Sequence, residues 1–283
     1  STWGWRSAYL LLAVPVVLIA PLAIAFQRQR PQDMGLLPDG DSTTPDEKSE
    51  RRIRPAALVV DQKWAAHHWT LPDAIRTHRF WLLLLGGVLG FTGQQIILIH
   101  YPAYMVAGGF DAQRVAVLAA LLLGIGSATK LVSGYVSDCF GRELTYAAAI
   151  VLGAIGAVAL LLTGSALVSL LPYAYVVLYS VFYGALATMP PAMAQDVFQG
   201  RHFASVYGAL VLGNNLAAGI SPLAAAYLVD FTGSYTVAFL VAIGAMAMSG
   251  VSIWLAAPRK VRMVPGRAQR LARLAATQPE PQL

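Results

Sequence analysis

The sequence predicts an all-α membrane protein with seven transmembrane helices. Of its 283 residues, 57% are hydrophobic and 12% are charged, whereas a soluble domain carries about a quarter charged residues. Seven apolar runs each approach the roughly 20 residues that a helix needs to cross a bilayer. The basic residues concentrate between alternate runs, as they do in proteins that cross a membrane several times. The composition therefore excludes a soluble globular domain.

The seven apolar runs are expected to form helices that cross the membrane in succession. Several of them contain Gly and Pro, which spanning helices tolerate because neighbouring helices satisfy the freed backbone groups. The connections after the second run are short, so the last six helices are expected to form one bundle. The predicted spans are residues 4–26, 80–106, 114–136, 144–163, 170–194, 205–229 and 234–257.

The net charge of +6 is distributed by membrane side and does not suggest a nucleic-acid partner. If the spans alternate in direction, 17 of the 20 Lys and Arg residues fall on one side of the membrane. Such an excess marks the cytoplasmic side. The sequence therefore predicts a multi-pass protein of the plasma (inner) membrane with its amino terminus outside and its carboxyl terminus in the cytoplasm. Membrane lipid is an expected partner of the basic surface.

The chain is expected to divide into four segments. A first helix occupies residues 1–26, a cytoplasmic linker 27–79, a six-helix bundle 80–257 and a basic cytoplasmic tail 258–283. The middle of the linker is rich in Pro, Ser, Thr and mixed charge, which predicts disorder. Its end, residues 64–79, alternates Trp and aliphatic residues with His and Arg, which predicts an amphipathic helix at the membrane interface.

A short charged motif, Gly134-x-x-x-Asp138-x-x-Gly141-Arg142, follows the third apolar run. Gly134 is expected to let helices approach closely, and Gly141 to permit a tight reversal of the chain. Asp138 and Arg142 are expected to make a charge-assisted contact. Because an ion pair at a helix junction can open and close, the motif is a candidate gate. An ordinary charged turn is the alternative.

With this motif the sequence resembles the major facilitator superfamily, which carries G-x-x-x-D-x-x-G-R between its second and third helices and again, more weakly, between its eighth and ninth. The resemblance implies that the first run is similar to helix 6 of that family and the last six to its carboxyl-terminal bundle, helices 7 to 12. The chain would then be a fragment that lacks helices 1 to 5. Its expected partner is the missing amino-terminal helical bundle.

Other stretches resemble one branch of the superfamily, the monocarboxylate transporters and oxalate/formate antiporters. These stretches are residues 30–41, 71–85, 196–208 and 227–239. The resemblance implies secondary active transport of a small organic anion, specifically a monocarboxylate. In this family the substrate sits between two six-helix halves that rock about it, which is alternating access.

Lys130 places a charge near the middle of the third apolar run. It lies eight residues before Asp138, a separation of about 12 Å along a helix. A charge at that depth costs at least about 2.5 kcal/mol, so a compensating role is expected. The residues around it are small or polar, namely Gly126, Ser127, Ser133, Gly134 and Ser137. Lys130 is either an anion ligand or one half of a structural ion pair.

The branch resemblance favours the ligand interpretation of Lys130. In the oxalate/formate antiporters a basic residue at the corresponding position binds the substrate carboxylate. Here the residue is Lys, which offers a point charge in place of the bidentate fork of Arg. The second basic residue of that branch has no counterpart between residues 205 and 229, which favours a singly charged substrate.

Four further polar residues are candidate substrate contacts, and three of them, Gln94, Asn214 and Asn215, are expected at a depth similar to that of Lys130. Gln94 and Tyr101 share one helix face, seven residues apart. Asn214 and Asn215 lie in the sixth run. The alternative role for all four is hydrogen bonding between helices, which is common for polar side chains in membranes.

Three residues near the ends of the spans are candidates for gating. His100 is expected near the outer interface, where a titrating imidazole can act as a switch. Asp196 and Arg201 lie in the predicted cytoplasmic turn between the fifth and sixth runs, where salt bridges are expected. None of the three is expected to bind the substrate.

Two other classes of function remain open at this point. Seven spans and a buried lysine also occur in seven-helix receptors and retinal photoreceptors, although their lysine lies on the last helix. A natural half-transporter subunit that pairs with another chain is the second alternative. An enzyme is not expected, because no catalytic, cofactor-binding or metal-binding spacing occurs in the context it would need.

Overall fold

The computed structural model describes residues 5–26, 58–164 and 170–270. Most of the predicted linker, residues 27–57, and the end of the predicted tail, residues 271–283, lie outside the described residues. The chain divides into two compact units, Ser1–Arg52 and Ile53–Leu283. The first unit contributes one described helix, and the second contains the bundle.

Long helices form at all seven predicted positions. Six of them are long and apolar enough to cross a membrane, and all six lie in the second unit. The prediction of an all-α membrane protein is therefore confirmed. The helices are α1 Trp5–Phe26, α2 Gln62–Ala66, α3 Leu71–Ala74, α4 His78–Ala107, α5 Ala112–Phe140, α6 Arg142–Leu161, α7 Leu171–Phe198, α8 Phe203–Thr232 and α9 Tyr235–Ala256.

Capping residues set the ends of the long helices. The Asp111 side chain accepts a hydrogen bond from the Arg114 amide (3.0 Å) at the start of α5, which satisfies one of the free donors of the first turn. Gly141 separates α5 from α6 with a φ of 114°, a conformation that side chains other than Gly rarely adopt. Gly233 ends α8 in the left-handed region, as helix-terminal glycines commonly do.

The bundle packs α4 against α9 and α8, and α7 against α5 and α6. Glycines on α4 allow the close approach to α9. A Cβ atom at Gly86 would lie 2.7 Å from the side chain of Ile253, and one at Gly93 would lie 2.6 Å from that of Met246. Small residues serve this purpose in membranes because helix association there depends on close packing.

Two of the six helices are much less buried than the others. The most apolar stretch of α5 is 22% buried and that of α8 is 28% buried, against 39–50% for the other four helices. Both helices therefore present a large face that the second unit does not cover.

The chain before α4 forms two short helices, α2 and α3, where the sequence predicted one amphipathic helix. Separate N-caps at Asp61 and Thr70 start them, and His67 is extended after α2. The Trp64 indole donates a hydrogen bond to the Val197 carbonyl (2.7 Å) at the end of α7. This tertiary contact fixes the segment on the bundle, so the local amphipathic pattern does not decide its conformation.

Candidate functional site

Lys130 lies in α5 with its side chain half-buried. Its ammonium nitrogen is 5.2 Å from the centre of the Tyr183 ring on α7, within the range of a cation–π interaction. No ion pair joins Lys130 to any residue in 58–164 or 170–270. The lysine is therefore contacted by an aromatic face, and its charge is not neutralised by this part of the chain.

Two glycines bring Tyr183 close to Lys130. A Cβ atom at Gly126 would lie 2.6 Å from Cδ1 of Tyr183, so the tyrosine ring packs directly on the α5 backbone. A Cβ atom at Gly184 would lie 2.9 Å from the Lys130 backbone nitrogen and closer still to the Thr129 hydroxyl. The two helices therefore cross at van der Waals contact beside the lysine.

The small polar residues around Lys130 divide between two roles. The Ser133 hydroxyl hydrogen-bonds to that of Thr188 on α7 (3.0 Å), and Thr129 donates to the Ser180 carbonyl (2.8 Å). Ser127, by contrast, is exposed and donates only within its own helix. Part of the polar face thus joins helices, and Ser127 is the part of it that is exposed.

Gln94 and Tyr101 lie on α4 and are both buried where it packs near α7. No contact joins either of them to Lys130 among the described residues. The Tyr179 hydroxyl donates to the Gln94 backbone carbonyl (2.9 Å). The Tyr101 ring lies 5.3 Å from that of Tyr175, whose hydroxyl has no hydrogen-bond partner within the described part of the chain. These residues form an interior tyrosine cluster.

The two asparagines face different surroundings. Asn214 is 7% exposed and packs against Gly87 of α4, where a Cβ atom would overlap its amide. Its side-chain oxygen has no hydrogen-bond partner within the described ranges. Asn215 is exposed on the poorly covered face of α8. Only Asn215 is accessible from outside the bundle in this conformation.

His100 connects α4 to α8. Its Nε2 lies 3.0 Å from the Pro222 carbonyl, and because a carbonyl only accepts, this nitrogen carries the proton. The ring also lies 6.0 Å from that of Tyr235. A hydrogen bond to the backbone beside a helix proline holds the two helices together at this level.

The charged motif lies at one end of the bundle, here called the motif end. Arg142 bridges two carboxylates: its Nη1 is 3.3 Å from Asp138 Oδ1, and its Nε donates to Asp196 Oδ2 at the end of α7. Nη1 also donates to the Ser137 hydroxyl (3.4 Å). The bridge ties the α5–α6 turn to α7.

A second ion pair lies beside the first. Glu143 accepts a hydrogen bond from the Arg259 amide (2.6 Å), and its carboxylate is 3.5 Å from the Arg259 guanidinium. This pair ties α6 to the chain that follows α9. Arg201 is exposed and makes no ion pair with the described residues, so of the predicted pair near the α7–α8 turn only Asp196 belongs to the charge network.

The close approach expected at Gly134 does not occur within the described residues. A Cβ atom at this position would meet no atom within 4 Å. Gly141 does form the tight reversal, and a Cβ atom there also meets open space. Position 141 therefore requires glycine because of its positive φ, and not because a side chain there would clash.

Three residues that contact Lys130 or form the second ion pair were not predicted from the sequence: Tyr183, Glu143 and Arg259. Tyr183 is separated from Lys130 by 53 positions, and Arg259 from Glu143 by 116. Glu143 directly follows the motif and carries a charge at the start of an apolar helix, which was the one local signal available. The partners of both pairs depend on helix packing that spacing along the chain does not encode.

Six apolar helices packed around glycine contacts, with paired charges at one end, are those of a multi-pass integral membrane protein. A sequence model of the Major Facilitator Superfamily matches residues 1–180 and 127–279. The chain belongs to this superfamily. That membership disfavours the receptor and photoreceptor alternatives.

Solved structures of transporters share the fold. A POT family transporter in complex with a thioalcohol-conjugated peptide matches with a TM-score of 0.54 and 16% identity, over 70% of this chain and 43% of that one. A mutant of the peptide transporter POT in complex with sulfate matches with a TM-score of 0.54 and 15% identity, over 78% and 46%. This chain therefore spans less than half the length of either structure. No curated protein matches the chain.

Proposed function

We propose that this chain is the carboxyl-terminal part of a secondary transporter that carries a small organic anion, specifically a monocarboxylate, by alternating access. The observation that carries the proposal is Lys130, a cation in the middle of an apolar helix that no carboxylate neutralises within residues 58–164 and 170–270. A charge at this depth costs at least about 2.5 kcal/mol. A substrate carboxylate that binds the ammonium offsets that cost.

Tyr183 supports the role of Lys130 as a ligand. Its ring attracts the ammonium at 5.2 Å with about 1 kcal/mol but does not remove the positive charge. The lysine is thus held in one position while its charge remains available. A structural ion pair would instead hold a carboxylate against it.

The number of basic residues supports a singly charged substrate. Helices α4 and α6 to α9 contain no Lys or Arg beyond their first two residues. One ammonium matches one carboxylate, whereas a dicarboxylate brings a second charge that this chain leaves unpaired. Desolvating an unpaired charge is expensive, so the monoanion is favoured.

The four other predicted substrate contacts are consistent with a binding site whose residues become accessible in different states of the transport cycle. Asn215 is exposed in the present conformation, whereas Gln94, Tyr101 and Asn214 are buried. We assign these three to a state of the transport cycle in which α4, α7 and α8 have shifted. In that state their amide N–H and phenol O–H groups would be available as donors to the carboxylate.

The partner is an amino-terminal helical bundle of the same protein. The open faces of α5 and α8 are the surfaces that such a bundle would cover. The chain also spans only 43% and 46% of the two similar structures. In this fold the substrate lies between two halves, so transport requires both. A separate chain that supplies the other half is the alternative.

The motif end is assigned to the cytoplasm, and the protein to the plasma membrane. The basic residues concentrate on the side that carries Arg142 and the segment after α9, which follows the positive-inside rule. The carboxyl terminus is then cytoplasmic. Asp196 and Arg142 form a cytoplasmic gate that opens when the pair separates.

The test is a substrate screen on the complete carrier in liposomes, with and without a pH gradient. Monocarboxylates, dicarboxylates, sulfate and dipeptides are compared, because the similar structures hold a peptide conjugate and sulfate. We expect uptake of monocarboxylates that Lys130→Ala abolishes and Lys130→Arg partly retains, at equal amounts of inserted protein. Unchanged uptake by Lys130→Ala, or uptake of neutral solutes only, would contradict the proposal.

A further inference from the structure

The motif end contains a cavity of about 350 Å³ that the proposed transport function does not use. Four parts of the chain line it: the segment before α2, the α5–α6 turn, the end of α7, and the end of α9 with the segment that follows it. Lys130 is not among its lining residues. The charged lining residues are Arg142, Glu143, Asp196, Arg259, Arg262 and Arg267.

The cavity has an excess of positive charge. Four arginines line it against two carboxylates. Arg142 and Arg259 are already occupied by carboxylates in the ion pairs described above. Arg262 and Arg267 make no ion pair with residues 58–164 or 170–270, although Arg262 lies close enough to Asp196 to stabilise its charge. Two cations are therefore available to an external anion.

One wall of the cavity is apolar and opens to the outside of the bundle. Phe140, Leu144 and Trp254 line it and are 55%, 55% and 46% exposed. They come from α5, α6 and α9, near the ends of those helices. The Arg259 guanidinium lies 4.4 Å from the Trp254 ring. Exposed aromatic residues near helix ends, with arginines beside them, are typical of the level of lipid headgroups.

We propose that this cavity binds the phosphate of an anionic phospholipid headgroup through Arg262 and Arg267, with the acyl chains lying along Phe140, Leu144 and Trp254. A basic pocket between helices is suited to this chemistry. The apolar wall favours a lipid over a free phosphate, because it gives the acyl chains a surface to cover. The bound lipid would hold the segment after α9 against the motif.

The experiment measures lipid binding to the purified complete protein by native mass spectrometry and by thermal unfolding. Phosphatidylglycerol, phosphatidylcholine and sodium phosphate are the three probes. The double variant Arg262→Gln/Arg267→Gln removes the available cations. The matched control Lys63→Gln/Arg76→Gln removes two exposed basic residues that precede α4 and do not line the cavity.

We expect phosphatidylglycerol to bind the wild type and raise its melting temperature, and the cavity variant to bind it about 30-fold more weakly. The control variant should retain wild-type binding. Equal weakening in both variants would show a general surface attraction and overturn the proposal. Equal binding of phosphatidylcholine, or equal stabilisation by sodium phosphate, would also overturn it.

A second measurement needs no variant and therefore survives a folding defect in the arginine substitutions. A photoactivatable phosphatidylglycerol is cross-linked to the wild type in nanodiscs and the adduct is mapped by mass spectrometry. We expect adducts on residues 140–144 and 254–267. Adducts spread over all helices without enrichment there would contradict the site.

Discussion

Two charged regions on α5 and its following turn differ in how their charge is compensated. At the motif end, Arg142 contacts the carboxylates of Asp138 and Asp196. In the middle of α5, the Lys130 ammonium lies over the ring of Tyr183 and forms no ion pair with residues 58–164 or 170–270. Removing one member of a buried pair leaves an uncompensated charge, whereas removing a lone buried charge does not. The first region is therefore suited to stabilising a conformation, and the second to binding a charged ligand.

Replacement of Arg142 removes its ion pairs with Asp138 and Asp196. Arg142→Ala is expected to lower the free energy of unfolding by about 2–3 kcal/mol, less than for a fully buried pair because the side chains are partly exposed. Arg201→Ala is the matched control, since Arg201 is exposed and has no ion pair in the described part of the chain. Denaturant unfolding in detergent measures both. Equal stability of the two variants would show that the ion pairs of Arg142 do not stabilise the fold.

The crossing of α5 and α7 sets the position of the lone charge. Gly184→Ala places a methyl group 2.9 Å from the Lys130 backbone nitrogen, and this overlap is expected to cost about 1–3 kcal/mol. Gly124→Ala is the control, because a Cβ atom there meets open space. Thermal unfolding of the two variants is compared. A stable Gly184→Ala variant would show that the helices separate without cost.

Tyr183 tests whether the aromatic contact of Lys130 contributes to ligand binding. Tyr183→Leu removes the cation–π contact, and under the proposed function it is expected to weaken monocarboxylate binding by about 2- to 30-fold. Tyr183→Phe retains the ring face and should bind as the wild type does. Equilibrium binding of labelled substrate to the complete carrier measures this. Equal binding by the Leu and Phe variants would remove Tyr183 from the site.

The smallest effect is expected at His100, which joins two helices through one side-chain hydrogen bond. His100→Leu loses the 3.0 Å bond to the Pro222 carbonyl and is expected to cost about 1 kcal/mol of stability. His78→Leu, at the exposed start of α4, is the control. Melting temperatures are compared at one pH. A shift no larger than that of the control would mean that the bond contributes nothing net.

Hydropathy predicted where the helices lie, and capping decided where they end. The third span was expected at 114–136 but α5 continues to Phe140, because Gly141 rather than the loss of apolar residues terminates it. The fourth was expected from residue 144 but α6 begins at Arg142. Charged residues continue a helix at the membrane surface as readily as apolar ones do, so composition alone places these ends too early or too late.

The candidate site was predictable only where its signal is local. Lys130 stands out because a charge in an apolar run is unusual by itself. Its aromatic neighbour Tyr183 lies on another helix, and nothing in the spacing links the two. Asn214 and Asn215 are adjacent in sequence, yet packing buries one against Gly87 and exposes the other. Helix rotation decides such differences, and it depends on contacts between helices rather than on the sequence of one helix.

The most direct test of Lys130 as the anion ligand is ligand-induced stabilisation of the complete carrier, compared between wild type, Lys130→Ala and Lys130→Arg. At a monocarboxylate concentration 100 times its Kd, the wild type should gain about 2.7 kcal/mol of stability. We predict that Lys130→Ala loses this gain while its ligand-free stability equals or exceeds that of the wild type, and that Lys130→Arg retains part of the gain. Full stabilisation of Lys130→Ala by the ligand, or a ligand-free loss of stability as large as that of Arg142→Ala, would contradict the proposed role of Lys130.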